Sequence, residues 1–62
     1  MKTAKVGDLI EWSFDKDYAD DRLAGKTFQA EVSVIDRAYS CYWVNASYGQ
    51  DMIQFDKCKI ID

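Results

Sequence analysis

The segment TFQAEVSVI, residues 27–35, decides the fold, because polar and apolar side chains alternate along its whole length. Phe28, Ala30, Val32 and Val34 share one face, and polar side chains occupy the other. A repeat of two residues is typical of a β-strand that buries one face and exposes the other. The sequence therefore predicts a strand here, with Val32 and Val34 pointing the same way.

Further strands are predicted on both sides of this segment. Residues 9–14 alternate in the same manner and place Ile10 and Trp12 on one face, so Trp12 is expected in the core. Three more apolar stretches follow the central segment, at residues 38–46, 51–55 and 58–61. Five short strands result.

The stretch at residues 38–46 carries bulky side chains at both alternating positions. Tyr42 and Val44 alternate with Cys41 and Trp43. Periodicity therefore leaves the inner face of this strand open. A strand of this kind is either covered on both sides or presents aromatic side chains to a partner.

Residues 15–26 interrupt the alternation and predict a long acidic loop after the first strand. Within it, Asp17 is expected to cap a short helical turn that extends to Leu23. Gly25 is expected to follow that turn in a left-handed conformation. A tight reversal is also expected at residues 36–37, between the second and third strands.

The length and composition predict one domain over residues 1–62. A chain of 62 residues is too short for two cores, and 48% hydrophobic residues with 15% aromatic ones are enough to fold it. Five strands in so short a chain leave the fewest unpaired strand edges when the sheet curls into a barrel. The fold class predicted is therefore all-β, a five-stranded small barrel.

The two ends of the chain resemble a known family. The opening VGDLIEW, residues 6–12, and the ending FDKCKII, residues 55–61, are similar to those of short, uncharacterised bacterial proteins of the KOW-like or SH3-like kind. The resemblance implies an SH3-like barrel with a one-turn helix before the last strand, at residues 56–57. That family has no established activity, so the resemblance implies a fold and not a function.

Several chemistries are disfavoured by the residues present. The chain has no histidine, no serine in a glycine-flanked elbow and no glycine-rich phosphate loop, so we do not expect an enzyme. A calcium loop that began at Asp15 would need an oxygen ligand, glycine and glutamate where Ala19, Asp20 and Lys26 stand. Cys41 and Cys58 lack zinc-site spacing and are expected as buried free thiols. No metal or cofactor is expected.

The chain is expected in the cytoplasm, with both cysteines reduced. Its N-terminus lacks the apolar stretch of a signal peptide, and no segment approaches the length of a membrane span. The net charge is −3 and the basic residues are scattered, which disfavours duplex nucleic acid as a partner.

The sequence predicts a binding domain that contacts another protein through an acidic loop and exposed aromatic residues. By analogy, SH3 domains hold basic, proline-rich peptides in an aromatic groove. A monomer or a weak homodimer is expected. The residues predicted to contact the partner are Asp15, Asp17, Tyr18, Asp20, Asp21, Tyr42, Trp43 and Tyr48.

Two other functions stay open at this point. The first is a KOW-like accessory domain that stacks the bases of RNA or single-stranded DNA on the same aromatics, with Arg37, Lys57 and Lys59 at the phosphates. The second is a small acidic inhibitor of a host enzyme, carried by a mobile element.

Overall fold

The computed structural model describes residues 3–61 and has five antiparallel strands in one sheet. A single turn of 3-10 helix, Phe55–Lys57, precedes the last strand. The all-β class, the strand number and this helical turn are therefore confirmed. The strands are β1 (Leu9–Ser13), β2 (Thr27–Asp36), β3 (Cys41–Ala46), β4 (Gly49–Gln54) and β5 (Lys59–Ile61).

The order of the strands is β4-β3-β2-β1-β5, and the sheet is not closed within residues 3–61. In that part of the chain β4 pairs with β3, and β5 pairs with β1. Closure into a barrel stays a prediction. The same residues include no helix with the length and apolar character needed to cross a bilayer.

A bend in β2 shapes the sheet. The first half of this ten-residue strand pairs with β1, from Thr27 opposite Ser13 onward. The second half pairs with β3, and the register shifts between Val32 and Val34. An irregularity of this kind bends the strand and increases its twist. The two halves of the sheet therefore turn toward each other and enclose the core.

The register shift in β2 corrects one prediction. Simple alternation places Val34 on the same face as Val32, but Val32 is 2% exposed and Val34 is 52% exposed. One extra residue in the strand reverses the direction of every later side chain. Ile35, opposite Tyr42, therefore takes the inward position that Val34 was expected to hold.

The core fills the space between the two halves of the sheet. Trp12 is in it, as predicted, and β3 contributes Tyr42 and Val44. The inner face of β3 is thus the one that carries these two residues. The buried members of the core cluster are Ala4, Ile10, Trp12, Val32, Tyr42, Val44 and Ile53.

Tyr42 connects the N-terminal segment to the core. Its side chain is 1% exposed, its hydroxyl oxygen accepts the Ala4 N–H at 2.8 Å, and its ring lies 4.6 Å from that of Phe55. We expect Tyr42→Phe to lower the free energy of unfolding by about 1–3 kcal/mol, because the buried Ala4 amide loses its acceptor. Chemical denaturation measures this loss.

The matched control for that change is Tyr39→Phe. Tyr39 is 75% exposed, so removal of its hydroxyl is expected to change the stability by less than about 0.5 kcal/mol. Equal losses in the two variants would show that the Tyr42 hydroxyl has no special role.

The acidic loop contains turns in place of the expected helix. Asp20, and not Asp17, makes the capping contact, since its carboxylate accepts the Arg22 N–H at 2.9 Å. The turn does not continue because Gly25, at φ 73°, redirects the chain, and its N–H bonds to the Phe14 carbonyl at 3.1 Å. The left-handed conformation expected at Gly25 is therefore confirmed, whereas the helix ending at Leu23 is wrong.

The reversal between β2 and β3 is longer than predicted. It spans residues 37–40, so β3 begins at Cys41 and not at residue 38. The Asp36 carboxylate accepts the Tyr39 N–H at 3.2 Å, and Ser40 takes a left-handed φ of 53°. These two features replace the glycine that a two-residue turn favours.

Candidate binding groove

An open groove of about 400 Å³ lies between β4 and the start of the acidic loop. One wall is the end of β1 and the residues that follow it, including Phe14, Asp15 and Tyr18. The other wall is β4 together with the 3-10 turn, and includes Asp51 and Met52. We call this feature the groove.

Five aromatic residues pack together beneath and beside the groove. The pairing of β1 with β2 sets Trp12 opposite Phe28, and Tyr48 stacks on Phe28 with ring centroids 4.8 Å apart. Phe14 lies 4.6 Å from Tyr18 and 5.8 Å from Tyr48. We call these five residues the aromatic cluster. Because Tyr18 is 44% exposed, the cluster reaches the surface at the groove.

A chain of hydrogen bonds fixes the β4 side of the groove. The Trp12 indole N–H donates to the Tyr48 hydroxyl at 3.1 Å, and that hydroxyl donates to the Asp51 carboxylate at 2.6 Å. The other oxygen of Asp51 accepts the Met52 N–H at 2.7 Å. Burial, and then the bond to Asp51, raise the pKa of Tyr48 well above its usual range. Tyr48 is therefore a neutral donor that orients the carboxylate.

The acidic loop divides its charges unequally. Asp15 lines the groove, and Asp17 and Asp21 are exposed in the same loop. Asp20 instead bonds to the Arg22 guanidinium, at 2.9 Å for the shorter contact, and this lowers the pKa of Asp20. The predicted contact residue Asp20 is thus already paired within the loop.

The aromatic residues predicted to contact a partner do not form one surface. Tyr18 is at the groove, and Tyr48 is half-buried in the aromatic cluster. The prediction that Tyr42 is an exposed contact residue is wrong, because its side chain faces the core. Trp43 is half-buried at the adjacent, oppositely directed position of β3, between Val34 of β2 and Met52 of β4.

Most residues that line the groove were not predicted as protein contacts, among them Phe14, Asp51, Met52 and Lys57, the last of which was expected only at the phosphates of a nucleic acid. Phe14 continues the alternation of Ile10 and Trp12, which by itself directs its side chain toward the core. The other three come together with the acidic loop only through the order and bend of the strands. The alternation of Asp51 with Ile53 was a visible sign that Asp51 lies on the core side of β4, at its margin.

A second set of polar contacts lies on β1 away from the aromatic cluster. Glu11 accepts a hydrogen bond from the Gln29 amide at 2.9 Å and pairs with the Lys59 ammonium at 3.1 Å. The Gln29 bond first, and Lys59 second, lower the pKa of Glu11. Lys59 is therefore occupied by a carboxylate of its own chain.

Both cysteines are free thiols. Cys41 is 1% exposed, as predicted, while Cys58 is only half-buried and points toward the Gln54 carbonyl at 3.6 Å. Burial is the main cause that raises the pKa of each thiol, so both stay protonated at neutral pH.

Comparisons with protein-family models, curated proteins and solved structures found no match to this chain.

Proposed function

We propose that this chain is a non-catalytic binding domain whose groove takes a segment of another protein. The observation that carries the proposal is the position of the exposed Tyr18 ring, which lies against Phe14 and beside Asp15 on one wall while Asp51 lies on the other. Tyrosine supplies a large contact area with a polar tip at low entropic cost. An extended segment in the groove contacts the Tyr18 wall on one side and the Asp51 wall on the other.

The charges of the groove favour a cationic segment. Asp15 and Asp51 face it from opposite walls, and Asp17 and Asp21 add negative charge in the adjoining loop. Lys57 lines one end and limits the acidic stretch there. A lysine or arginine of the partner gains both from the carboxylates and from the faces of the aromatic rings.

The proposal includes an SH3-like small-barrel fold in a reducing, cytoplasmic setting. The strand order and the division of β2 between two halves of the sheet support the fold. The free thiols of Cys41 and Cys58 support the setting. In such a barrel the groove lies beside the gap between β4 and the end of β1.

The test is affinity purification with tagged wild-type protein, Tyr18→Ala and Tyr39→Ala. Tyr39 is the matched control, because it is an exposed tyrosine that does not line the groove. We expect Tyr18→Ala to weaken capture of a specific protein about tenfold or more, as for an interface anchor, and Tyr39→Ala to leave it unchanged. Loss of capture in neither variant, or in both equally, would contradict the proposal.

Nucleic-acid binding is the main alternative outcome of this test. It has less support, because Lys59 is paired with Glu11 and the chain has a net charge of −3. Affinity for a single-stranded oligonucleotide that falls steeply with added salt would favour it over a protein partner. An acidic inhibitor would instead recover one enzyme through the same acidic loop, and that enzyme would lose activity on binding.

A further inference from the structure

The edge of β4 that faces away from β3 has backbone groups directed outward. The Phe55 N–H bonds to the Ser40 carbonyl at 2.9 Å and continues the register that pairs Ile53 with Tyr42. In an antiparallel ladder the residues that bond to the neighbouring strand alternate with residues whose N–H and C=O groups point the other way. Gln50, Met52 and Gln54 are therefore the β4 residues whose backbone groups point away from β3.

Two side-chain contacts agree with this alternation. The Met52 N–H bonds to the Asp51 carboxylate of its own strand, and the Gln54 carbonyl receives the Cys58 thiol. The Met52 contact joins two residues that line the groove, and residues 51–54 line it in succession, whereas Cys58 is not among the lining residues. The edge of β4 is thus one wall of the groove.

The opposite wall has a similar feature at Ser13. β5 pairs with β1 only from Leu9 to Glu11, and Ser13 lies beyond the end of that pairing. The Phe14 N–H bonds to the Lys26 carbonyl at 3.0 Å, on the β2 side, so the alternation turns the backbone groups of Ser13 toward the β5 side. Ser13 also lines the groove. Outward backbone groups of β1 and β4 therefore flank the same space.

We propose that the partner segment binds in the groove as an added β-strand, paired with the free edge of β4. This inference rests on the proposed function and specifies its chemistry: the ligand is an extended, basic segment of a different protein. Main-chain hydrogen bonds supply its register, and alternate side chains contact the two walls. A strand in this position lies between β4 and the end of β1 and contacts both walls.

The contact of the Asp51 carboxylate with the Met52 N–H occupies the outer edge of β4 until a ligand binds. A carboxylate on the Met52 N–H blocks unselective pairing of the edge with other strands. A carbonyl of the incoming segment takes over that N–H, and Asp51 then becomes available to a lysine or arginine of the ligand. Selectivity for a basic segment follows, because with a neutral one Asp51 loses its hydrogen bond from the Met52 N–H and gains no charged partner in exchange.

Charge also argues against a second copy of this chain as the occupant. Two copies each carry a net charge of −3, and the groove adds Asp15 and Asp51 to any contact there. A basic segment of another protein neutralises these charges instead of adding to them.

The experiment uses peptides selected on the 62-residue chain from a displayed library of random sequences. Each selected peptide is resynthesised with a single N-methyl group at each position in turn. An N-methyl group that removes a pairing N–H is expected to lower the affinity about tenfold, and one on the outward side is expected to have little effect. A pattern of period two along the peptide is therefore the expected result. Slower amide exchange at Gln50 and Met52 should accompany it.

The outcomes separate this inference from the proposed function. Peptides that bind, and that lose affinity on Tyr18→Ala but show no alternating N-methyl effect, would overturn strand addition and leave the proposed function standing. Failure to select any peptide would contradict both. Protection of the β4 amides that rises with protein concentration, without peptide, would mean that a second copy occupies the edge, and this also overturns the inference.

Discussion

The Ile10→Ala variant is expected to be largely unfolded at room temperature. Ile10 is 0% exposed at the centre of the core, and truncation of a buried isoleucine costs about 2–5 kcal/mol. A single core in a chain of this size rarely supplies more than about 3–5 kcal/mol in total. The loss is therefore comparable to the whole stability. Circular dichroism and the dispersion of amide resonances measure the folded fraction.

Val34→Ala is the control for this prediction, and it also tests the bend in β2. Val34 is 52% exposed after the register shift, so its truncation is expected to cost less than about 1 kcal/mol. Without the shift, Val34 would share the buried face of Val32 and its truncation would be damaging. A severe loss in Val34→Ala, or a folded Ile10→Ala, would contradict the structure.

The strands that the sequence predicted well are those with one buried face. β1 and the first half of β2 follow simple alternation because each has the core on one side and solvent on the other. Alternation of residue types cannot reveal the extra residue in β2, so the sequence could not predict that Val34 is exposed. In β3 the burial of Cys41 next to Tyr42 shows why both parities carried bulk.

The acidic loop shows a different limit of the sequence. Asp17 and Asp20 are equally good capping residues by type, and only the backbone of the loop decides between them. Gly25 was predictable because a left-handed position has a strong preference for glycine. The sequence therefore predicts the end of the turn, at Gly25, better than its beginning, at Asp20.

The sequence predicted protein-contact residues on only one of the two walls of the groove. The acidic loop and Tyr18 were predicted as contact residues, and the structure brings Tyr18 and Asp15 together there. Asp51 and Met52 come from a strand distant in sequence, and no local pattern connects them with the loop. Their position depends on the strand order and on the bend in β2, which bring residues of β4 and of the end of β1 to the same groove.

The second large effect is expected for Tyr48, whose side chain joins the aromatic cluster to β4. Tyr48→Ala removes the ring that stacks on Phe28 at 4.8 Å and both hydrogen bonds of the hydroxyl. Truncation of a packed aromatic costs about 3–5 kcal/mol, and the half-buried position of Tyr48 places it at the lower end of that range. Because this loss approaches the whole stability of so small a domain, the folded fraction by circular dichroism measures it, together with urea denaturation where a folded baseline remains.

Tyr48→Phe separates the hydroxyl from the ring. It keeps the stacking on Phe28 but leaves the Trp12 indole N–H without its acceptor, and Trp12 is only 4% exposed. We expect a loss of about 1–3 kcal/mol in the free energy of unfolding at neutral pH, because a buried donor becomes unpaired. A loss as large as that of Tyr48→Ala would mean that the ring contributes nothing.

The same variant tests the hydroxyl by its pH dependence. Burial and the Asp51 bond raise the pKa of Tyr48 in the folded state above the ordinary value of 10.0, so the unfolded chain releases this proton first as the pH rises. The stabilisation is therefore complete below about pH 10 and is lost as the pH rises from there toward the folded-state value. Tyr48→Phe has no such proton, so the stability difference between wild type and variant should shrink above about pH 10. A difference that stays constant up to pH values where the wild type unfolds would show that neither burial nor the Asp51 bond favours the protonated hydroxyl in the folded state, which would contradict the position of Tyr48 in the structure.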